Sequence, residues 1–440
     1  MAIASVTSAS SDDALERSAI RRMSLRLLPF LIAAYFVAFV DRVNVGFAAL
    51  QMNHDLGFTN TTYGIAGGIF FFGYFLFEVP SNILMERFGA RRWIMRIMVS
   101  WGIASGLTAL VTGAWSFIGL RFLLGAMEAG LFPGVILYLT YWFPSAHRAK
   151  IVGIFMIAIP LSSLLGSPVS SAILGMEGVA GLHGWQWLFI IEAIPAVILG
   201  VFTLVWLPDK PATAAWLPGP ERDWLARRLA ADEARIPKTQ RVSLWKVLSN
   251  NRVLLLALVY AGSTASNYGL TLWQPQILKT FGLTNLQVGF ANSVPFAFGC
   301  VAMIMWGRRS DRVMERRWHT ALPLFLCGGG LVACLMLTTL WPTLIALTVT
   351  LMGVYALKGP FWAITTEGLP VAISAASIAA INSIGNLAGF VGPFLIGYIK
   401  DATGSFVLGL LPLIAFAFVA GATVLLMGRD RQTGAHAPAE

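Results

Sequence analysis

The sequence predicts an all-α integral membrane protein: twelve transmembrane helices in two pseudo-symmetric halves of six. Three observations carry this. The 440 residues are 57% hydrophobic and 12% charged, with a mean hydropathy of +0.72, whereas an average soluble domain is about 25% charged. Apolar runs of the length needed to span a bilayer, about 20 residues each, recur twelve times. A basic loop holding an acid next to an arginine follows both the second and the eighth of them.

The candidate spans, helices 1 to 12, are 27–50, 61–84, 93–112, 115–140, 149–174, 187–207, 253–278, 286–306, 320–340, 342–367, 374–399 and 405–427. Residues 1–16 are small and polar and are expected to be disordered, within an N-terminal tail of 1–26. Ile20-Arg21-Arg22-Met23-Ser24-Leu25 has a faint look of a twin-arginine signal. The apolar run behind it is too long for a signal and ends in no small-residue cleavage site, so the arginines read as an anchor for helix 1. The halves are 27–207 and 253–427, joined by the one long polar stretch, 208–252, with 428–440 as a tail. That linker opens with Pro208, Pro211, Pro218 and Pro220, and Glu221 to Leu229 has the spacing of a short amphipathic helix.

Charge placement fixes the expected orientation. With both termini and the linker in the cytoplasm, that side holds 26 of the 31 Lys and Arg residues, and only Lys279 and Lys400 fall on outside loops. This is the positive-inside asymmetry. It accounts for the net charge of +10 without a nucleic-acid partner, and the lipid bilayer is the surroundings it implies. Three bases, Arg42, Arg121 and Lys358, fall inside helices.

Function classes are narrowed by what is missing. There is no GxxxxGK[ST] for an ATP-driven pump, no HExxH, and no Ser/His/Asp set, so an enzyme is not expected. Cys300, Cys327 and Cys334 lie in apolar runs without a CxxC, which argues against a disulfide or metal site. His54, His147, His183, His319 and His436 fall in loops or the tail, which disfavours a histidine proton relay. No cofactor is expected.

The two loops read Asn82-Ile83-Leu84-Met85-Glu86-Arg87-Phe88-Gly89-Ala90-Arg91-Arg92 and Trp306-Gly307-Arg308-Arg309-Ser310-Asp311-Arg312. They resemble the loop signature G-x-x-x-D-R-x-G-R-R of the major facilitator superfamily. The first copy has Asn82, Glu86 and Ala90 where the signature has glycine, aspartate and a base; the second keeps Gly307, Asp311 and Arg312 but loses the later glycine. Within that superfamily the chain resembles the anion:cation symporters through Asp41-Arg42-Val43-Asn44, Phe77-Glu78-Val79-Pro80-Ser81-Asn82, Arg121-Phe122-Leu123-Leu124-Gly125 up to Glu128, and Ile381-Asn382-Ser383-Ile384-Gly385-Asn386-Leu387-Ala388-Gly389-Phe390. The resemblance covers nearly everything except the linker and tails. It implies that Glu86, Arg87, Gly89, Arg91, Asp311 and Arg312 serve the conformational change.

Ionisable groups at membrane depth are rare and mark substrate or ion pathways. Asp41 and Arg42 sit side by side in helix 1; Arg121 and Glu128 are seven apart in helix 4, which puts them on one face about 10 Å apart. The resemblance implies a central cavity lined by helices 1, 4, 7 and 10. In it Asp41 and Glu128 would carry protons, and Arg42 and Arg121 would balance them or hold an anion. A permanent charge network that only fixes packing is the alternative. Asp41 and Arg42 differ by about 100° around the helix, so one is expected toward the cavity and the other toward helix 4. Lys358 precedes Gly359-Pro360, where proline should kink helix 10. It could meet a substrate carboxylate or pair with Glu367. Tyr74, Asn267, Tyr268, Trp273, Trp362, Asn382 and Asn386 are polar or aromatic lining candidates, suited to a hydroxylated or carboxylated ligand. Glu78 and Glu192 read as structural acids, and Gly385, Gly389 and Gly392 as a close-packing stripe.

The expected function is uptake of a small organic anion with protons, driven by the proton gradient, across a bacterial-type inner membrane, by rocking of the two halves. The resemblance points to a hydroxylated dicarboxylate such as tartrate, a sugar acid or an aromatic carboxylate. A functional monomer is expected. An antiporter or exporter of the same fold remains open, with Leu165-Gly166-Ser167-Pro168 a partial echo of an antiporter motif, as does a non-transporting sensor.

Overall fold

The structure, a computed structural model, describes residues 2–234, 247, 249–367 and 371–427. Among these there are helices and no strands. Twelve of the helices are long and apolar enough to cross a membrane.

Helix 1 spans Ala2–Asp55, helix 2 Asn60–Phe88, helix 3 Ala90–Leu107 and helix 6 Gly184–Trp206. Helix 4 is broken into Ala114–Glu128 and Leu131–Trp142, and helix 5 into Ser145–Met156 and Ala158–Ile173. A linker helix, Gly219–Ala234, precedes helix 7 at Asn251–Lys279, helix 8 at Asn285–Val313 and helix 9 at Arg317–Met336. Helix 10 is broken into Leu340–Ala356 and Lys358–Glu367; helix 11 spans Val371–Thr403 and helix 12 Leu411–Leu426.

Two expectations are corrected here. The segment before residue 27 is not a separate tail but continues helix 1. It is held by docking: Ser18 Oγ donates to Glu221 at 2.6 Å, Arg22 pairs with Glu221 at 3.0 Å, and His147 meets Glu16 at 2.7 Å. Polar composition alone missed these partners, which come from the linker helix and helix 5. His54 lies in the last turn of helix 1, and His147 and His319 in the first turns of helices 5 and 9, rather than in loops; His319 bonds Glu315 at 2.7 Å. Arg235, Lys238, Arg241, Lys246, Arg429, Arg431 and His436 lie outside the described residues.

Helices 2 and 11, 5 and 8, and 1 and 7 join the first six spans to the last six. The helix 11 glycines do lie against neighbours: a Cβ on Gly392 would come within 2.4 Å of the Ala265 carbonyl of helix 7. At the end away from the termini the joint is sealed by hydrogen bonds. The Asp401 carboxylate accepts from the backbone N–H of Asn60 at 3.2 Å, the Asn60 side chain at 2.6 Å and the N–H of Thr61 at 2.7 Å. Asn292 donates to Ser167 at 2.8 Å and Trp273 to the Pro393 carbonyl at 3.0 Å. Toward the terminus-bearing end, Asn382 and Ser383 each donate to Glu78 at 3.2 Å. Glu78 therefore bonds side chains of helix 11.

The loop motifs have a shared geometry. Gly89 joins helices 2 and 3 with φ +86°, and the backbone N–H of Arg91, in the first turn of helix 3, donates to Asp209 at 2.9 Å. In the second copy Met314 stands at the position of Gly89 and also takes a left-handed φ, +55°. Glu86, Arg87, Asp311 and Arg312 are exposed, and Asp311 pairs with Arg316 at 2.7 Å.

Candidate functional site

The fourth helix of each half is interrupted, and each break carries a charged residue. Glu128 is the last residue before the break in helix 4, and Lys358 the first after the break in helix 10. The helix 4 break turns on Gly130, at φ +90°, where a Cβ would fall 2.3 Å from Ser81 Oγ. Only glycine suits both the left-handed backbone and that close approach. In helix 10 the regular structure lapses at Leu357, three residues before Pro360. A proline there removes a donor and crowds the preceding turn. Irregular backbone at membrane depth is tolerated where protein or a cavity surrounds it.

Both breaks flank one narrow cavity. Arg42 enters it from helix 1, Tyr74 from helix 2, Asn267 and Tyr268 from helix 7, Lys358 and Trp362 from helix 10, and Asn382 and Asn386 from helix 11. The wall thus draws on helices 2, 5 and 11 as well as the expected 1, 4, 7 and 10. It carries two cations, three asparagine amides and several phenols, and no acid among the described residues.

Arg42 is the best-connected group. Its Nε donates to Glu128 Oε1 at 2.9 Å, one terminal nitrogen donates to the same oxygen, and the other donates to the Tyr268 hydroxyl at 2.8 Å. The pair is buried, Glu128 completely. Phe39, Phe70 and Tyr74 rings lie 4.7, 5.1 and 5.4 Å from the guanidinium carbon, within cation–π range. Lys358 differs: no carboxylate of the described residues pairs with it, and its Nζ lies 6.0 Å from the rings of Tyr260 and Tyr355. The side chain of Glu367, its alternative partner, lies outside the description.

Four residues expected in the cavity are off its wall: Glu128, which stands behind Arg42, and three others. Asp41 turns away from both the cavity and helix 4, accepting from Asn44 at 3.2 Å and from Ser105 of helix 3 at 3.1 Å. The 100° offset from Arg42 carries it to the third helix, a direction the sequence left open. Arg121 is buried one layer behind the cavity; its guanidinium carbon lies 5.2 Å from the Phe70 ring. Two turns separate it from Glu128, and that distance takes it past the cavity. Trp273 is wholly buried between the halves through its bond to Pro393.

Sequence reasoning passed over Tyr35, Phe39, Tyr260 and Thr264, all on the wall. A signal existed. Tyr260, Thr264, Asn267 and Tyr268 stand at i, i+4, i+7 and i+8, one face of helix 7.

A family model described as "Major Facilitator Superfamily" matches residues 31–393. A protein of Agrobacterium vitis named "Putative tartrate transporter" is 52% identical over 415 residues, covering 94% of this chain and 96% of its own. A "Quinolone resistance transporter" of Acinetobacter baumannii is 43% identical over 401 residues, covering 90% and 91%. Among solved structures, a bacterial homolog to the human lysosomal transporter Spinster, in an inward-facing and occupied conformation, aligns with a TM-score of 0.76 at 16% identity, over 94% of this chain and 98% of that one.

Proposed function

The chain belongs to the major facilitator superfamily, and from that premise we propose that it takes up a small organic dianion of the tartrate class together with protons. It is a multi-pass membrane transporter and not an enzyme. One observation carries the substrate class. Arg42 from the first half and Lys358 from the second face a single cavity whose wall has no acid among the described residues. A ligand with two carboxylates can engage both cations, and so bridge the halves. The hydroxyls of such a ligand suit the amides of Asn267, Asn382 and Asn386, and the aromatic rings pack its carbon skeleton. The relatives named for tartrate support the same reading.

Coupling follows from competition for one guanidinium. Arg42 is held by Glu128 in this state. A substrate carboxylate that binds Arg42 must displace that carboxylate or share it. A proton on Glu128 removes its claim on Arg42 and lets the anion in; once the anion leaves, the proton can follow and the pair re-forms. Arg121, within electrostatic reach of Glu128 and Asp41, steadies the charged state. Asp41 and Glu128 are the proton carriers in this scheme.

The test is tartrate accumulation in proteoliposomes under an imposed pH gradient, acid outside. Uptake above equilibrium that collapses with a protonophore supports symport. Accumulation driven by the opposite gradient would favour export, the second reading, which the relative named for quinolone resistance and the aromatic cavity wall support. No binding of any hydroxylated or aromatic dicarboxylate would overturn the substrate class.

A further inference from the structure

On the face of helix 1 opposite the substrate cavity there is a second buried polar cluster. Asp41 accepts from Asn44 and from Ser105 of helix 3. Glu192 of helix 6, within electrostatic reach of Asp41 and beside Asn44, accepts from Ser170 of helix 5 at 2.6 Å. Four helices therefore close on two acids. Asp41, Asn44, Ser170 and Glu192 are all at least nine-tenths buried.

The donors do not suffice for the acceptors. Asp41 Oδ2, Asn44 Oδ1 and Glu192 Oε2 are buried with no hydrogen-bond partner. All three are acceptors; the one unpartnered donor beside them, Trp101 Nε1 near Asp41, can serve one of them, and two ionised carboxylates add none of the donors still missing. A proton on either acid supplies an O–H that one of these orphaned oxygens can accept. It also removes the cost of burying two like charges together.

The charges around the pair leave the balance unmet. Helix 4 brings Glu128 and Arg121, charges of opposite sign, within electrostatic reach of Asp41, with Glu128 the stronger of the two. Glu192 feels Asp41 and, among the described residues, no base. Helix 3 contributes Ser105 and Trp101 here, helix 5 contributes Ser170, and helix 7, against the other face of helix 1, has its charged residues only at its ends. Arg42 is committed to Glu128 and Tyr268.

We infer that Asp41 and Glu192 form an acid pair that holds one proton between them beside Asn44, making Glu192 a second proton-binding residue outside the substrate cavity. The proton sits on one carboxyl or the other, its O–H donating to an unpartnered acceptor of the cluster, and the Asn44 amide neither gains nor loses a proton. The inference rests on the proton-symport reading for its role in transport. It gives that reading a site the substrate does not touch, separate from Glu128.

The test uses Glu192→Gln, which keeps shape and one acceptor but cannot ionise, beside Glu192→Asp as a conservative rescue. Two readouts are taken on the full chain in proteoliposomes. The first is infrared difference spectroscopy of the wild type across a pH titration. A protonated-carboxyl C=O band that titrates and disappears in both Glu192→Gln and Asp41→Asn is expected; a spectrum unchanged by Glu192→Gln would overturn the pair. The second is uptake driven by a pH gradient against counterflow exchange at equal pH. Glu192→Gln should lose at least tenfold of the former and keep the latter within about twofold, with Glu192→Asp partly restored. If the wild type accumulates substrate and Glu192→Gln does so with an unchanged pH profile, Glu192 is structural and symport stands. If the wild type does not accumulate substrate, symport fails, and the infrared band still decides whether the proton is shared. A Glu192→Gln protein that does not fold leaves Ser170→Ala as the second variant, which should shift the same band; no shift there overturns the inference.

Discussion

Replacing Lys358 by methionine separates binding from folding more cleanly than any other change at the cavity. The methionine keeps an unbranched stem of similar reach, so packing against Tyr260 and Tyr355 persists. What goes is the ammonium. No carboxylate of the described residues pairs with it, and its two aromatic neighbours sit at 6.0 Å, the outer edge of cation–π range. Each is then worth about 0.5 kcal/mol. A lone charge at membrane depth costs about 2.5–3.5 kcal/mol on insertion scales, so the folded protein should be unharmed or gain up to roughly 2 kcal/mol. A ligand carboxylate loses a charge-assisted hydrogen bond of about 1.5–3 kcal/mol, or roughly 10- to 150-fold in Kd. The contrast is Arg42→Met, which strands Glu128 in the interior and should cost about 3–5 kcal/mol of stability. Calorimetric titration with tartrate and with a monocarboxylate of similar skeleton, alongside thermal unfolding in detergent, reads both effects. Lys358→Met should weaken the dicarboxylate far more than the monocarboxylate at an unchanged or higher Tm. A Kd within threefold of wild type together with a Tm lowered by several degrees would refute the reasoning and make Lys358 a packing residue.

Further outcomes follow from the joints of the fold. Asp401→Ala removes the acceptor of three N–H groups at the end away from the termini; a cysteine placed at Asn60 should then react faster with a membrane-impermeant maleimide, and an unchanged rate would show that the seal lies elsewhere. Met314→Gly relieves a left-handed residue at φ +55°, which costs a non-glycine roughly 1–2 kcal/mol, so Tm should rise; a fall would mean the methionine side chain contributes contacts that outweigh the strain. Asp232 accepts the Ser145 backbone N–H at 2.7 Å, which with the Ser145 hydroxyl and nearby arginines holds its carboxyl below the usual range. A depressed carboxylate stabilises above the unfolded value of about 3.9 and loses that contribution as pH falls through the folded value. Amide exchange at residues 145–148 should therefore accelerate as pH drops below about 4, after correction for intrinsic rates, and Asp232→Asn should abolish that pH dependence.

The fold was legible because lipid imposes a one-dimensional rule. A run of about 20 apolar residues reads as a span whatever its neighbours do, and the twelve runs found in the sequence correspond to the twelve apolar helices. The breaks were half-legible. Gly359-Pro360 announced the lapse in helix 10, while Pro133-Gly134, three residues past Gly130, was an equivalent signal in helix 4 that was passed over, and the close approach of Ser81 of helix 2 explains the glycine there. The directions of the buried charges were not legible. Two adjacent residues fix a 100° difference but no origin, so Asp41 could not be sent to Ser105, 64 residues away, without the packing of helix 3. Glu192 was read as a structural acid, and its surroundings were hidden for the same reason. Its partners Ser170, Asn44 and Asp41 lie on two other helices, and nothing local distinguishes it from a structural acid. The polar ends of residues 2–26 misled in the opposite way, since composition says nothing of a linker helix waiting to dock.

Arg42 is where these strands meet, because it bonds both halves at once: Glu128 lies 86 residues away in the first half and Tyr268 lies 226 away in the second. A group in that position cannot be neutral to rocking. When the halves separate on the cavity side, the Tyr268 bond must stretch or break while the Glu128 pair, internal to one half, can persist. A substrate that binds Arg42 with one carboxylate and Lys358 with the other replaces a hydroxyl bond across the joint by two charge-assisted ones. It therefore favours the conformation in which the two cations are closest, by the difference between those bond energies. A ligand with one carboxylate replaces the bond without adding a second, and has little to shift the equilibrium with. It follows that a monocarboxylate which binds well should still be transported slowly, and that the selectivity of transport should exceed the selectivity of binding.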